Sequence, residues 1–262
     1  MRRAVSLAFL CLTGALTAPR AAGAGEAQCW YDNGALVVPA AFGEITGDFI
    51  LDVSAPRSQL HDSRAGAAGI DGASATGDLT LGGERVPAFP IEVADLDARS
   101  WGFNTNINGV LGADALAPFV VDITFSPCRV TLYRRPPPRW TAPRLKVTRV
   151  AGVAALQATI SDGTVSRSGL FAIDTASKGV RVPDATLSRA PGKDADPFSR
   201  GEPPARLRAV SLEGALFEQT PAGLMKEAPA GLAGAIGDAV WSRYRMRLNL
   251  REGWIQLEPV QP

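Results

Sequence analysis

Short apolar runs recur along the whole chain and are bounded by glycine, proline, aspartate and serine. Runs of about four to eight residues with such boundaries are typical of β-strands, and no amphipathic stretch is long enough to predict a major helix. The pattern therefore predicts an all-β protein. The clearest predicted strands cover residues 35–38, 49–51, 78–81, 89–93, 119–125, 130–133, 169–173 and 246–250.

The two halves of the chain repeat one another. The run Gly-Asp-Phe-Ile-Leu-Asp52 matches Gly-Leu-Phe-Ala-Ile-Asp174, at an offset of 122 residues (174 − 52). Further on, Val-Leu-Gly112 matches Ala-Ile-Gly237, at an offset of 125 (237 − 112), and from there the halves align without a gap. A repeat of this length predicts two lobes with the same internal architecture.

A connector rich in proline and arginine separates the halves at residues 134–144. Because proline donates no backbone hydrogen bond, this segment is expected to be extended and to lie outside the regular strands. The sequence thus predicts an N-terminal lobe at residues 25–136 and a C-terminal lobe at residues 137–262.

Residues 1–24 begin with Met-Arg-Arg, continue as an apolar run and end in small residues. This order is typical of a secretory signal peptide, and the apolar run is shorter than the roughly 20 residues of a membrane span. We therefore expect export to the periplasm or secretion, with cleavage near Gly25 and no stable membrane span afterwards. The two cysteines beyond the signal, Cys29 and Cys128, are expected to form one disulfide in such an oxidising compartment, the alternative being two separate buried thiols.

The formal net charge is +1 and no long basic run is present, so nothing predicts nucleic-acid binding. The chain has a single histidine, His61, which makes a histidine-based metal site or a serine triad hard to assemble. His61 is expected at the surface or a sheet edge. The five tryptophans, Trp101 among them, are expected in the core or between the lobes.

In each half an aspartate follows an apolar strand, precedes a turn of small residues, and is followed about 60 residues later by an apolar-apolar-Gly segment (112 − 52 = 60; 237 − 174 = 63). This order resembles the aspartic protease family, with a two-lobed architecture as in pepsin and retropepsin-like lobes. The resemblance covers nearly the whole chain beyond the signal. It implies a bilobal β-barrel fold with a cleft between the lobes.

The resemblance also implies a role for Asp52 and Asp174. In the family, two carboxyl groups about 3 Å apart share one proton; one activates a water molecule while the other polarises the peptide carbonyl group. It implies no cofactor and no metal, and a peptide or protein as substrate or ligand. Two aspartates could also be ordinary turn residues, but their matching places in a repeat favour a common site.

Both aspartate turns depart from the Asp-Thr/Ser-Gly pattern of the family. The first reads Asp52-Val53-Ser54, so Val53 offers no hydroxyl group to the other lobe, and the second reads Asp174-Thr175-Ala176. Neither has the glycine, and a Cβ atom there would cost about 1 kcal/mol or more if the position required a positive φ.

The substrate-covering hairpin of the family is also reduced. Residues 66–77 are long enough only for a shortened one, and residues 198–212 are a candidate replacement lid or an ordinary loop. Three functions therefore stay open: an exported aspartic endopeptidase, an inactive relative that binds peptide or a partner protein in its cleft, and a structural component without a cleft ligand.

Overall fold

The computed structural model describes residues 24–183, 206–225 and 227–260. The predicted signal segment lies outside these residues except for Ala24, where the first strand begins. The described residues form 20 strands and four short helices. The strands are β1 (Ala24–Gln28), β2 (Trp30–Asp32), β3 (Ala35–Phe42), β4 (Ile45–Leu51), β5 (Gln59–His61), β6 (Ser74–Leu81), β7 (Glu84–Ala94), β8 (Ile107–Leu111), β9 (Val120–Phe125), β10 (Cys128–Tyr133), β11 (Leu145–Lys146), β12 (Thr148–Val150), β13 (Val153–Ser161), β14 (Ser166–Ile173), β15 (Val180–Pro183), β16 (Arg206–Leu212), β17 (Ala215–Met225), β18 (Gly234–Ile236), β19 (Tyr244–Asn249) and β20 (Trp254–Pro259). The helices are α1 (Asp62–Ala67), α2 (Asp97–Ser100), α3 (Ala113–Leu116) and α4 (Asp238–Trp241).

Each half of the chain forms a lobe with the same strand order. The first lobe has the order β2-β3-β4-β8-β5-β7-β6, and the second has β12-β13-β14-β18-β15-β17-β16. In each, an additional pairing, β3 with β6 or β13 with β16, closes six strands into a barrel. The repeat seen in the sequence is therefore a repeat of topology.

A third sheet joins the two lobes. Its order is β1-β10-β9-β19-β20-β11, so three strands of the first half lie beside two strands of the second, and the short strand β11, which follows the connector, lies at one edge. The central strands β9 and β19 pair antiparallel, with Asp122 opposite Arg247. We call this the interlobe sheet.

Equivalent apolar side chains fill the two barrels. Phe49 and Phe171, which are 122 residues apart (171 − 49), are both fully buried. Both lie on the strand that leads to an aspartate, and both pair with the strand that ends just before Gly112 or Gly237, Phe49 with Gly109 and Phe171 with Gly234. The barrel cores therefore fix the strands from which the aspartates project.

A hairpin turn of each lobe packs against the aspartate turn of the other. Gly34 lies against Lys178, with an ideal Cβ only 3.0 Å from the lysine Cβ, and Gly152 lies equally close to the Cβ of Pro56. Lys178 and Pro56 are themselves equivalent (178 − 56 = 122). Both glycines have φ values near +84°, which a side chain would strain. Each lobe therefore makes the same contact with the other, as two lobes related by pseudo-two-fold symmetry do.

Cys29 and Cys128 form the predicted disulfide, with an S–S distance of 2.02 Å and Cα atoms 5.0 Å apart. It ties the start of the first lobe to β10 of the interlobe sheet. The candidate lid at residues 198–212 lies outside the described residues as far as 205, and its remainder is strand β16 rather than a loop. None of the helices in the described ranges has the length and apolar character needed to cross a bilayer.

Candidate functional site

Asp52 and Asp174 occupy equivalent places at the ends of β4 and β14. The backbone N–H of Asp52 donates to the Leu111 carbonyl oxygen at 2.9 Å, and that of Asp174 donates to the Ile236 carbonyl oxygen at 3.0 Å. Both residues are buried, at 3% and 0% exposure. Each aspartate is therefore held by the strand that runs parallel to its own.

Gly112 and Gly237 follow those parallel strands and pass directly under the aspartate turns. A Cβ atom at Gly112 would lie 2.7 Å from the Ala55 carbonyl oxygen, and one at Gly237 would collide with the carbonyl oxygens of Ser177 and Gly179. No side chain fits there without moving backbone. This explains physically why both halves carry glycine at the end of the apolar segment.

Thr175 links the two aspartate turns across the lobes. Its hydroxyl group donates to the Leu51 carbonyl oxygen at 2.6 Å and accepts from the Val53 backbone N–H at 3.1 Å. Its carbonyl oxygen accepts from the backbone N–H of Leu36 at 3.0 Å. Val53, buried and without a hydroxyl group, returns no equivalent bond, so the connection between the turns is one-sided.

Each turn binds its own aspartate through local donors. Ser54 donates to Asp52 Oδ1 through both its backbone N–H (2.8 Å) and its hydroxyl group (2.6 Å). Ala176 donates its N–H to Asp174 Oδ1 at 2.9 Å. Neither Ser54 nor Ala176 has a positive φ, so the missing glycines cause no backbone strain. The strain expected for a Cβ atom at a position with a positive φ is therefore absent from both turns.

An arginine is paired with each aspartate, and the sequence analysis missed both. Arg99 from α2 donates through Nη2 to Asp52 Oδ2, and Arg181 from β15 donates through Nη2 to Asp174 Oδ2. The arginine side chains remain 37% and 43% exposed, whereas the aspartate side chains are almost completely buried. An arginine cation is therefore paired with Oδ2 of each carboxylate.

A third aspartate, Asp238, lies buried beside these two. It is 1% exposed, and neither of its carboxyl oxygens has a hydrogen-bond partner among the described residues. Burial, reinforced by the charges of Asp174 and then Asp52, raises the pKa of Asp238 to about 9. Asp238 is therefore a neutral carboxylic acid at pH 7. The one feature of the sequence that could have indicated this residue is its position directly after Gly237. At the equivalent position, after Gly112, the first half has Ala113.

Two exposed aromatic residues lie on the segments around this site: Tyr31 on β2, and Trp101 at the end of α2. Tyr31 is 44% exposed and Trp101 is 64% exposed, so the expectation of a buried or interlobe Trp101 was wrong. Partial burial and then the charges of Asp238 and Asp174 raise the pKa of Tyr31, which places its phenol group near both carboxyl groups. The Trp101 carbonyl oxygen accepts from the Asn33 side chain at 3.3 Å, which joins the end of α2 to the β2–β3 hairpin.

His61 is buried at 6% exposure, so its expected surface location was wrong. The reason is that β5 ends under two short helices. The ring Nδ1 atom lies 2.8 Å from Asp62 Oδ1 at the start of α1, and Nε2 lies 3.2 Å from Asp97 Oδ1 at the start of α2. His61 thus helps to hold α2, the helix that supplies Arg99.

Residues 66–77 contain the end of α1, a short loop and the beginning of β6, and the β6 part pairs with β7 as part of the barrel. A separate hairpin that could cover the aspartates is not formed by this segment. Within the described part of the chain, no three histidine, cysteine, aspartate or glutamate side chains form a group that could hold a metal ion.

The fold is that of the bilobal aspartic proteinases. The aspartic proteinase from Irpex lacteus superposes on this chain with a TM-score of 0.59 and 14% sequence identity, covering 91% of this chain and 98% of that one. At this identity the likeness concerns the fold, which confirms the predicted bilobal pepsin-like architecture. No family model matches the sequence. No curated protein has a sequence detectably similar to it.

Proposed function

We propose that the cleft between the lobes binds an extended polypeptide segment without hydrolysing it. The observation that carries the proposal is the pairing of both aspartates with arginine. Hydrolysis by an aspartate pair requires that one carboxyl group hold a proton and that the pair hold a water molecule. Arg99 and Arg181 occupy Oδ2 of the two carboxylates, and an arginine side chain does not give up its proton in a protein.

Two further observations support binding. Tyr31 exposes aromatic surface near the carboxyl groups, and Trp101 exposes its ring at the end of the helix that carries Arg99. Such side chains contribute large contact areas at low entropic cost. The scaffold is that of proteins with a cleft between lobes, and an extended peptide is the ligand for which such a cleft is shaped. The competing function is that of an aspartic endopeptidase, because Asp52 and Asp174 lie at equivalent positions of the two lobes.

Two assays on the purified protein test the proposal. In the first, a reduced and alkylated unfolded protein is incubated with the chain from about pH 3 to about pH 7, beside Asp52→Asn and Asp174→Asn. We expect no cleavage at any pH. Cleavage that either substitution abolishes would establish an endopeptidase and overturn the proposal.

The second assay measures binding of the same unfolded protein, labelled with fluorescein, by fluorescence anisotropy. Trp101→Ala is expected to weaken binding about tenfold, in the range of a truncated aromatic contact. Leu216→Ala is the matched control, because Leu216 is nearly as exposed as Trp101 (62% against 64%) but lies at the start of β17, beside the β16–β17 turn. Equal loss in both variants, or no binding by the unmodified protein, would count against a peptide-binding cleft.

We further propose that residues 1–24 direct export to the periplasm or secretion. The oxidised Cys29–Cys128 pair supports this, because disulfides persist in oxidising compartments. Cell fractionation and N-terminal sequencing test it. We expect the exported form to begin near Gly25, which would keep almost all of β1; retention of the intact N-terminus in the cytoplasm would contradict export.

A further inference from the structure

The connector and the neighbouring strands of the interlobe sheet enclose a groove of about 900 Å³ that shares no residue with the aspartate site. We call it the basic groove. Its lining contains six arginines and one acidic residue, Glu252, although the formal net charge of the whole chain is only +1. The arginines are Arg134, Arg135, Arg139, Arg144, Arg247 and Arg251.

Two of these arginines are neutralised within the protein. Arg247 pairs with Asp122, and Arg134 pairs with Glu84. In contrast, Arg135, Arg139 and Arg251 are exposed and form no hydrogen bond or ion pair with any described residue. The positive charge of these three side chains is therefore available to a ligand.

Aromatic side chains organise the rest of the groove. The guanidinium group of Arg144 stacks on Trp254, 4.2 Å from the ring centroid, which holds its face and leaves its N–H edge accessible. The indole N–H of Trp254 donates to Glu252 at 2.7 Å, so the one acidic group of the lining is already engaged. Trp140 stacks on the buried Arg247 at the same 4.2 Å separation.

The connector is held in an extended form. Each residue from Arg135 to Pro137 precedes a proline, which restricts its backbone to extended conformations. The carbonyl oxygen of Pro138 accepts from Arg247, and that of Ala142 accepts from Gln256, so the segment is fixed to the sheet. A fully extended segment with a rise of about 3.1 Å per residue would separate the Cα atoms of Arg135 and Arg139 by about 12 Å.

A groove of about 900 Å³ whose lining includes three arginines without a partner among the described residues is larger than a single phosphate or carboxylate group needs. An extended peptide, however, places alternate side chains on one face at intervals of about 6.8 Å, so acidic residues four positions apart are about 13 Å apart. We propose that the basic groove binds an extended acidic segment of a partner polypeptide, whose carboxylates pair with Arg135, Arg139 and Arg251. The proposal is independent of any activity of the cleft.

A short fluorescein-labelled peptide that alternates glutamate and serine is a suitable probe. Its binding to the whole protein is followed by fluorescence anisotropy at about 50 mM and about 200 mM salt. We expect binding that weakens at higher salt. The variant R135E/R139E is expected to bind at least about tenfold more weakly, because two charge-assisted contacts become repulsive. Its thermal unfolding midpoint should be unchanged, since neither arginine has a partner among the residues that the structure describes.

Arg167→Glu is the matched control, because Arg167 is also exposed and lies on β14 outside the groove. It should bind the peptide with an affinity close to that of the unmodified protein. The proposal is overturned if the peptide does not bind, or if Arg167→Glu weakens binding as much as R135E/R139E. It is equally overturned if pyrophosphate or phosphatidylglycerol vesicles bind in the groove while the peptide does not.

Discussion

Asp122 and Arg247 occupy equivalent positions of the two repeats and form an ion pair with each other at the centre of the interlobe sheet. Arg247 donates through Nε to Asp122 Oδ1 at 2.6 Å and through Nη2 to Oδ2 at 2.7 Å. Their separation of 125 residues equals the offset of the repeat in this region. The symmetry of the lobes therefore brings one position into contact with its own counterpart, where identical charges would repel and opposite charges attract.

Removing one partner of this pair should be costly, because both side chains are buried, at 12% and 3% exposure. We expect Asp122→Asn to lower the free energy of unfolding by about 3–5 kcal/mol, since it leaves the arginine charge uncompensated. The double variant D122L/R247M should recover much of that loss. Urea denaturation measures both, and a double variant less stable than D122N would contradict the interpretation.

The hydroxyl group of Thr175 should matter to the joining of the lobes. Thr175→Val keeps the shape of the side chain but removes two buried hydrogen bonds to the first lobe, at Leu51 and Val53. We expect a loss of about 1–3 kcal/mol in the free energy of unfolding. Thr131→Val is the control, a similar substitution in β10 where no side-chain hydrogen bond is lost. If the two variants unfold alike, the bonds contribute little.

Gly237 should tolerate no side chain. An alanine Cβ would collide with two backbone carbonyl oxygens that belong to the Asp174 turn, so Gly237→Ala should displace the turn and lower the thermal unfolding midpoint by several degrees. Gly66→Ala, in α1, has no atom within 4 Å of the new Cβ and should be neutral or stabilising. Circular dichroism melting curves compare the two. A Gly237→Ala protein as stable as Gly66→Ala would refute the steric account.

Asp238 should make the fold less stable as the pH rises. Its pKa is about 9 in the folded protein against an ordinary value of 3.8, so the folded state binds more protons between these values. The free energy of unfolding should therefore fall with increasing pH across that window. The Asp238→Asn side chain cannot ionise and should lack this contribution. The free energy of unfolding of the variant, relative to that of the unmodified protein, should therefore increase from about pH 5 to about pH 9. Urea denaturation across the pH range tests this, and parallel profiles would contradict it.

Arg181 should stabilise the protein through Asp174, which is completely buried. Arg181→Gln leaves that carboxylate with the donors of its own turn, Ala176 and Ser177, and we expect a loss of about 1–3 kcal/mol. In the double variant D174N/R181Q the loss should be smaller than the sum of the single effects, because the two residues interact. Additive single effects would mean that the pair is not coupled.

Several features could be predicted from the sequence because their signals are local or repeated. Short apolar runs between turn residues specify strands through side-chain burial, and two copies of one pattern specify two copies of one topology. The matching positions of Asp52 and Asp174 followed from the same alignment of the two halves. The disulfide followed separately, from the two cysteines that lie beyond the signal segment. That the two carboxyl groups share a water molecule stays a prediction.

The tertiary structure alone decided what surrounds the aspartates. Arg181 occupies the place of Gln59 in the first lobe, as the pairing of each with β18 or β8 shows, so the repeat predicted no arginine pair. Asp52 instead receives Arg99, which is 47 residues away and reaches it from α2, a helix without a counterpart among the described residues of the second lobe. Apolar periodicity reports which face of a strand is buried, whereas a salt bridge depends on where separate loops meet in space. That is why the sequence determined the scaffold and its two aspartates, and only the folded chain determined that each would be paired with a cation.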